Sequence, residues 1–174
     1  MSRLQLLAPR VAAAVLAVVV PQVSAQAAIT VFAAGSLRAA LTEIVADFEA
    51  APGGTSVKLV FGASGLLRDR LQAGEAADVF ASANMEHPQA LAASGRAEPA
   101  LPFARNALCA LAAPSFGLNG QPLQVLTLPD DLNVSATYGL SLLRPVSPAA
   151  LRFVAHLRGA PGQRRLAAWG FAAP

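Results

Sequence analysis

The order of segments along this chain predicts an α/β fold, a parallel sheet covered by helices. Three observations carry that prediction. β-Rich runs at Ile29–Phe32, Ser56–Phe61 and Ala77–Ala81 alternate with helix-period segments, and strand–helix–strand order requires parallel crossovers. Leu37, Ala40, Leu41, Ile44, Val45 and Phe48 recur at the spacing of one helix face. The first two strands run into small-residue turns, Ala33-Ala34-Gly35 and Gly62-Ala63-Ser64-Gly65, suited to tight strand-to-helix connections.

Taken in order, Ile29–Phe32 is the first strand, and Ser36 opens a helix that Pro52-Gly53-Gly54 ends. In the second strand Val57, Leu59 and Phe61 alternate with Ser56 and Lys58. Ser64 is expected to cap a helix carrying Leu67 and Leu71 to a stop at Gly74. Ala77–Ala81 is the third strand, Met85–Ala93 a helix and Asn106–Ala112 a fourth strand. From residue 113 the pattern weakens: Pro114–Pro122 reads as a loop, Leu123–Leu128 as a short strand and Pro129-Asp130-Asp131 as a turn. Tyr138–Leu143 is a further strand, and Pro148–Arg158 and Pro161–Trp169 are helices, the second opened by its proline.

Residues 1–27 read as an export address. Arg3 and Arg10 supply a positive start, and Val11–Val20 is an unbroken apolar run, too short as a helix for a hydrocarbon core of about 30 Å. Pro21 breaks it, and Val23-Ser24-Ala25 or Ala25-Gln26-Ala27 offers a cleavage site, with no cysteine for a lipid anchor. The mature chain is expected to be periplasmic, soluble and monomeric.

The chain has 174 residues, 55% hydrophobic and 13% charged, which excludes disorder. Its formal charge of +3 falls to +1 without Arg3 and Arg10, giving no support for nucleic-acid binding. No acid follows Asp131, whereas Arg144, Arg152, Arg158, Arg164 and Arg165 do; solvated helix faces explain this, and a protein-docking surface is the alternative. Cys109 is the only cysteine and sits in an apolar run, so it forms no internal disulfide. With only His87 and His156 beside it, a His/Cys metal site is not expected.

The candidate site is the pair Ser36 and Ser64. In a parallel α/β sheet, ligands bind outside the carboxyl ends of the strands, and both serines fall there. A helix start leaves backbone N–H groups unpartnered and carries partial positive charge. Two such starts, each with a hydroxyl, form a nest for a small anion. Neutral donors favour an oxyanion without acidic protons, because a protonated one needs an acceptor as well. Read singly, each serine is an ordinary helix cap; the pair points to a ligand.

Ile29-Thr-Val-Phe-Ala-Ala-Gly-Ser-Leu37, Phe61-Gly-Ala-Ser-Gly-Leu66 and Ala77-Asp-Val-Phe-Ala-Ser-Ala-Asn84 resemble, in order and spacing, the molybdate-binding proteins of molybdenum ABC importers. Tyr138–Phe171, ending Trp169-Gly170-Phe171, is similar to that family's final strand and helices. The resemblance implies a type II periplasmic binding-protein fold that takes up molybdate or tungstate and delivers it to an inner-membrane ABC permease. Ser36 and Ser64 match the two first-lobe serines that hold the oxyanion. Molybdenum would be held through its oxygens, not as a directly ligated cation, and no further cofactor is implied. Asp78 lies in the third motif and reads as structural, since an acid beside a dianion repels it.

The chain departs from the family in the middle. Residues 28–112 and 138–174 form the first lobe, and only about 25 residues, 113–137, stand where a second lobe of at least ~50 residues is built. The second lobe reads as truncated to a remnant, and its contacts to the anion, including a tyrosine, have no match; Tyr138 belongs to the returning strand and is not that tyrosine. Three other readings stay open. One is a receptor for sulfate, thiosulfate or another oxyanion. Another is a truncated product or interaction module with weak or no binding. The third is a hydrolase, for which Gly62-Ala-Ser-Gly-Leu66 departs from a nucleophile elbow at its fifth position, and for which His87, near a helix start, or His156, at a solvated helix position, would have to supply the base.

Overall fold

The structure, a computed structural model, describes residues 28–107, 110–112, 124–126 and 134–174. The export segment, Cys109, the loop at 114–122 and the turn at 129–131 lie outside the described residues. The elements are β1 (Ile29–Ala34), α1 (Arg38–Ala50), β2 (Val57–Gly62), α2 (Ser64–Gln72), β3 (Val79–Ser82), α3 (Glu86–Ala93), β4 (Leu101–Ala107), β5 (Ala110–Ala112), β6 (Gln124–Leu126), β7 (Ser135–Leu142), α4 (Pro148–Arg158) and α5 (Ala160–Ala168). One five-stranded sheet has the order β2-β1-β3-β7-β4, and β5 pairs with β6 apart from it.

β1 runs parallel to both β2 and β3, as the alternating pattern requires. β7 lies between β3 and β4 and is antiparallel to each, so the sheet is mixed beyond its three-strand parallel core. The direction of β7 follows from connectivity. β4 leaves the sheet at its carboxyl edge, and Ala107 is paired with Ser135. A chain that re-enters where it left must run the other way.

β4 starts earlier than the hydropathy pattern suggests, at Leu101 rather than Asn106. Pro102 hid the start, because proline cannot donate to a ladder. It is tolerated here on an edge strand, where the β4–β7 register shifts between Pro102 and Ala104. Ala110–Ala112, expected as the end of this strand, pairs with β6 instead.

Two apolar layers enclose the sheet. Alternation along β1 and β3 sends Val31, Ala33, Val79 and Ala81 to the layer shared with Leu41, Ile44 and Phe48 of α1 and Phe153 and Leu157 of α4. Phe32 and Phe80 face the opposite layer with Leu67 and Leu71 of α2 and Leu91 of α3. All six apolar positions of the periodic segment from Leu37 to Phe48 are buried. α3 lies directly on β7: a Cβ at Gly139 would come within 2.7 Å of Met85 Sδ and 2.8 Å of Pro88 Cγ.

At the amino edge, Asp78 ties three elements together. Its carboxylate accepts from Thr30 N at 2.8 Å and from Ser147 Oγ at 3.2 Å. Ser147 in turn caps α4 by accepting from Ala150 N at 3.1 Å, with Pro148 in the first turn. Asp78 is therefore structural and sits at the edge opposite the two serines. On the outer surface Arg165 of α5 clasps α1, bonding Asp47 at 2.7 and 3.0 Å and Glu43 at 3.1 Å.

Phe153 is fully buried and meets Phe48 edge-on at 5.3 Å between ring centroids. Phe153→Ala is expected to lower the unfolding free energy by about 3–5 kcal/mol in urea titration. The hydrogen bond from Arg165 holds the Asp47 carboxyl below its ordinary value. A depressed carboxylate stabilises the fold above its unfolded value and loses that contribution as pH falls through the folded one. The Tm difference between wild type and Asp47→Asn should be present at pH 7, shrink below about pH 4 and vanish at lower pH.

Candidate functional site

Parallel pairing of β1 with β2 sets Ala34 opposite Gly62, so the turns that follow leave the sheet side by side. A Cβ at Gly35 would lie 4.0 Å from the Gly62 carbonyl oxygen; the two turns are within contact distance. From there the helices diverge, with the buried side chains of α1 in one apolar layer and those of α2 in the other. The crevice between diverging connections at the carboxyl edge is where open α/β sheets hold ligands. Ser36 and Ser64 both stand at that edge, Ser36 exposed and Ser64 half-buried.

Neither serine is a helix cap, contrary to the sequence expectation. Ser36 lies inside a 3-10 turn, Gly35–Leu37, that precedes α1, with Ala34 at the cap position and no side-chain cap bond. Ser64 is the first residue of α2, with Ala63 at the cap, again without a side-chain cap bond. Two positions past the cap for Ser36 and one for Ser64, the hydroxyls do not fold back over their own first-turn amides. Those amides stay unpartnered within the helix, and the hydroxyls bond elsewhere.

Ser64 Oγ accepts from Ala83 N at 3.0 Å, which ties the start of α2 to the residue that follows β3. Because a backbone amide can only donate, this bond takes a lone pair of Ser64 and leaves its proton for another acceptor. Ser36 Oγ lies 3.1 Å from the phenol oxygen of Tyr138, and either oxygen could be the donor. Tyr138 enters from β7, which the antiparallel return brings to this edge, and its ring is buried at 4% exposure. The sequence reading set Tyr138 aside; only the direction of β7 could have placed it here.

After β3 the chain makes a small polar turn. Ser82 Oγ donates to Asn84 Oδ1 at 3.0 Å, and the same oxygen accepts from His87 N at 3.3 Å in the first turn of α3. Positive charge lies near the serine turns. Arg38, at the start of α1, stacks on the Phe61 ring at 4.3 Å. Arg68 Nη1 is 3.2 Å from His87 Nδ1, and since arginine has no lone pair to offer, Nδ1 accepts.

His87 Nε2 lies 3.6 Å from where a Cβ on Gly65 would be, so this ring is close to the Ser64 turn although the bond that Ser64 Oγ makes is to Ala83. His156 is elsewhere. It packs edge-on against Phe48 at 5.6 Å and its Nε2 is buried without a partner, which corrects the solvated position expected for it. Among the described residues, no group of three or more His, Cys, Asp or Glu side chains could hold a metal ion.

The fold is that of periplasmic binding proteins, with about one lobe present. The periplasmic molybdate-binding protein of Azotobacter vinelandii superposes with a TM-score of 0.70 at 14% identity, over 84% of this chain and 99% of that one. The sulfate-binding protein SubI of Mycobacterium tuberculosis superposes with a TM-score of 0.72 at 12% identity, over 84% and 86%. Residues 29–119 match the model of the bacterial extracellular solute-binding protein family, and the chain belongs to that family. In sequence, it is 42% identical over 67 residues to the molybdate-binding protein ModA of Mycobacterium bovis, covering 38% of this chain and 26% of that protein. The chain spans between a quarter and a third of the length of the curated relatives it matches first.

The two serines should differ in what they do for folding. Ser64→Ala leaves the Ala83 amide without its acceptor and is expected to cost about 1 kcal/mol in urea titration. Ser36→Ala, at an exposed position, should stay within about 0.5 kcal/mol of wild type.

Proposed function

We propose that this protein is the solute-binding component of an ABC importer, capturing a tetrahedral oxyanion at the carboxyl edge of its sheet. Molybdate is the preferred ligand, with tungstate its near equivalent. Ser36 and Ser64 donate their hydroxyl protons to the anion, and the first-turn amides of the two connections add further donors. The loaded protein delivers the anion to an inner-membrane permease, and residues 1–27 direct it to the periplasm as a cleaved leader. It acts as a monomer and catalyses no reaction.

The observation that carries this reading is the convergence of Ser36 and Ser64 beside the paired residues Ala34 and Gly62. Family membership and the 42% identity with a molybdate-binding protein support the choice of ligand. A second reading, sulfate or thiosulfate as the anion, is supported by the sulfate-binding protein among the folds that superpose. Hydrogen-bond donors of no net charge suit either dianion, so the size of the nest decides between them.

Residues 113–137 are taken as the remnant of a second lobe, between first-lobe segments 28–112 and 138–174. One lobe leaves a dianion partly hydrated, and each bond to it weaker than in a closed, dry cleft. Calorimetric titration with molybdate is therefore expected to give a Kd weaker than micromolar, with tungstate competing and excess sulfate failing to compete. Ser36→Ala combined with Ser64→Ala should abolish the heat and the thermal shift. Undiminished binding by that double variant would remove the site, and competition by sulfate would favour the second reading.

A further inference from the structure

We infer that Tyr138 is a positioning residue for the oxyanion site: its phenol donates to Ser36 Oγ and thereby turns the serine proton outward to the ligand. This rests on the oxyanion reading above and assigns the direction of the one hydrogen bond there that geometry leaves open.

The neighbouring serine supplies the pattern. Ser64 Oγ is held as an acceptor by Ala83 N at 3.0 Å, so its proton can only go to another acceptor. Ser36 Oγ has the Tyr138 phenol at 3.1 Å in the corresponding place. A phenol is a stronger acid than an aliphatic alcohol and a poorer acceptor, so phenol-to-serine is the favoured direction. With an anion bound, the alternative would direct the serine proton to the phenol and a lone pair to the ligand, which repels it. In the favoured direction each bond polarises the next, from phenol to serine to oxyanion.

Tyr138 is built to hold that direction. Its ring meets Phe171 edge-on at 5.3 Å and Phe103 edge-on at 6.3 Å, so it is gripped from two sides. Phe171 is itself fixed by the chain end, where Arg105 and Ala172 exchange backbone bonds of 2.8 and 2.9 Å. Gly170 turns the chain into this position at φ +83°, a conformation few other residues adopt. The Trp169-Gly170-Phe171 ending thus acts on the site through Tyr138.

Tyr138 is the only tyrosine in the chain, so its Raman Fermi doublet, which differs between donor and acceptor phenols, reports this residue alone. Ligand-free wild type should show the donor-type doublet, and Ser36→Ala should lose it. An acceptor-type doublet in wild type, or one that Ser36→Ala leaves unchanged, would overturn the inference. Where wild type binds molybdate, Tyr138→Phe should weaken binding roughly two- to tenfold while keeping the wild-type unfolding transition. The same change in a Ser36→Ala background should add nothing, because the phenol acts through that hydroxyl. Losses that multiply in the double variant would instead mean that Tyr138 acts independently of Ser36. Absence of any oxyanion binding by wild type would count against the proposed function, while the ligand-free Raman comparison still decides the Tyr138–Ser36 bond.

Discussion

Parallel pairing of β1 with β2 and β3 is the constraint on which the site depends. It sets Ala34 beside Gly62 and Ala33 beside both Phe61 and Ala81. Three chain segments distant in sequence therefore end at one level. A one-residue slip of β2 would turn its side chains to the other face of the sheet and displace the Ser64 turn from the Ser36 turn. Val57, Leu59 and Phe61 of β2, packed against one layer while Val60 packs against the other, make such a slip costly. The register is specified by the core, and the geometry of the edge follows from it.

Given that edge, the way hydrogen bonds are shared decides what it can hold. Each serine is engaged by a group from another strand connection: Ala83 after β3 for Ser64, Tyr138 on β7 for Ser36. A serine used as an N-cap would spend its oxygen on its own helix and leave its position to local dihedrals. Here the hydroxyls are set by tertiary contacts, and the first-turn amides stay available. On the proposed oxyanion reading, donors without net charge would stabilise an anion and offer no acceptor to a protonated one. Arg38 and Arg68 add a favourable field, but Arg38 is stacked on Phe61 and Arg68 is bonded to His87 and Asp69.

Local pattern was enough to read the parallel core, and tertiary direction was needed for the rest. The helix face from Leu37 to Phe48, the stop at Gly74 and the strands on either side follow from periodicity and turn chemistry, because burial on one face writes itself into spacing. The edge position of both serines followed as well, since it depends on strand order alone. Their role as caps did not, because an offset of one residue at Ser64 and two at Ser36 separates a cap from a first-turn position, and no spacing rule resolves it. Ser147 before Pro148 is a stronger capping signal, and it is the serine that caps a helix in the structure. Tyr138 was unreadable for another reason: its side chain reaches Ser36 only if β7 runs antiparallel. That direction is set by where the chain leaves and re-enters the sheet. His156 was expected at a solvated helix position, whereas Phe48 of α1 packs edge-on against its ring.

The same connectivity bears on the proposal that the middle of the chain is a shortened second lobe. β4 departs and β7 returns at the carboxyl edge, paired at Ala107 and Ser135, so whatever lies between is an excursion from one point on the sheet. Its length enters the first lobe only through the entropy of closing a loop, which grows slowly with residue number. Among the described residues, the Asp78 junction joins β1 and α4 to the start of β3, and the Arg165 clasp joins α5 to α1. On that proposal, stability of the sheet and completeness of the cleft are separable properties. Its two ends, Ala107 and Ser135, lie at the carboxyl edge of the sheet, the edge at which Tyr138 meets Ser36. On the proposed reading, a change in the length of the excursion would alter how far an anion is enclosed while leaving Ser36 and Ser64 in place at the sheet edge.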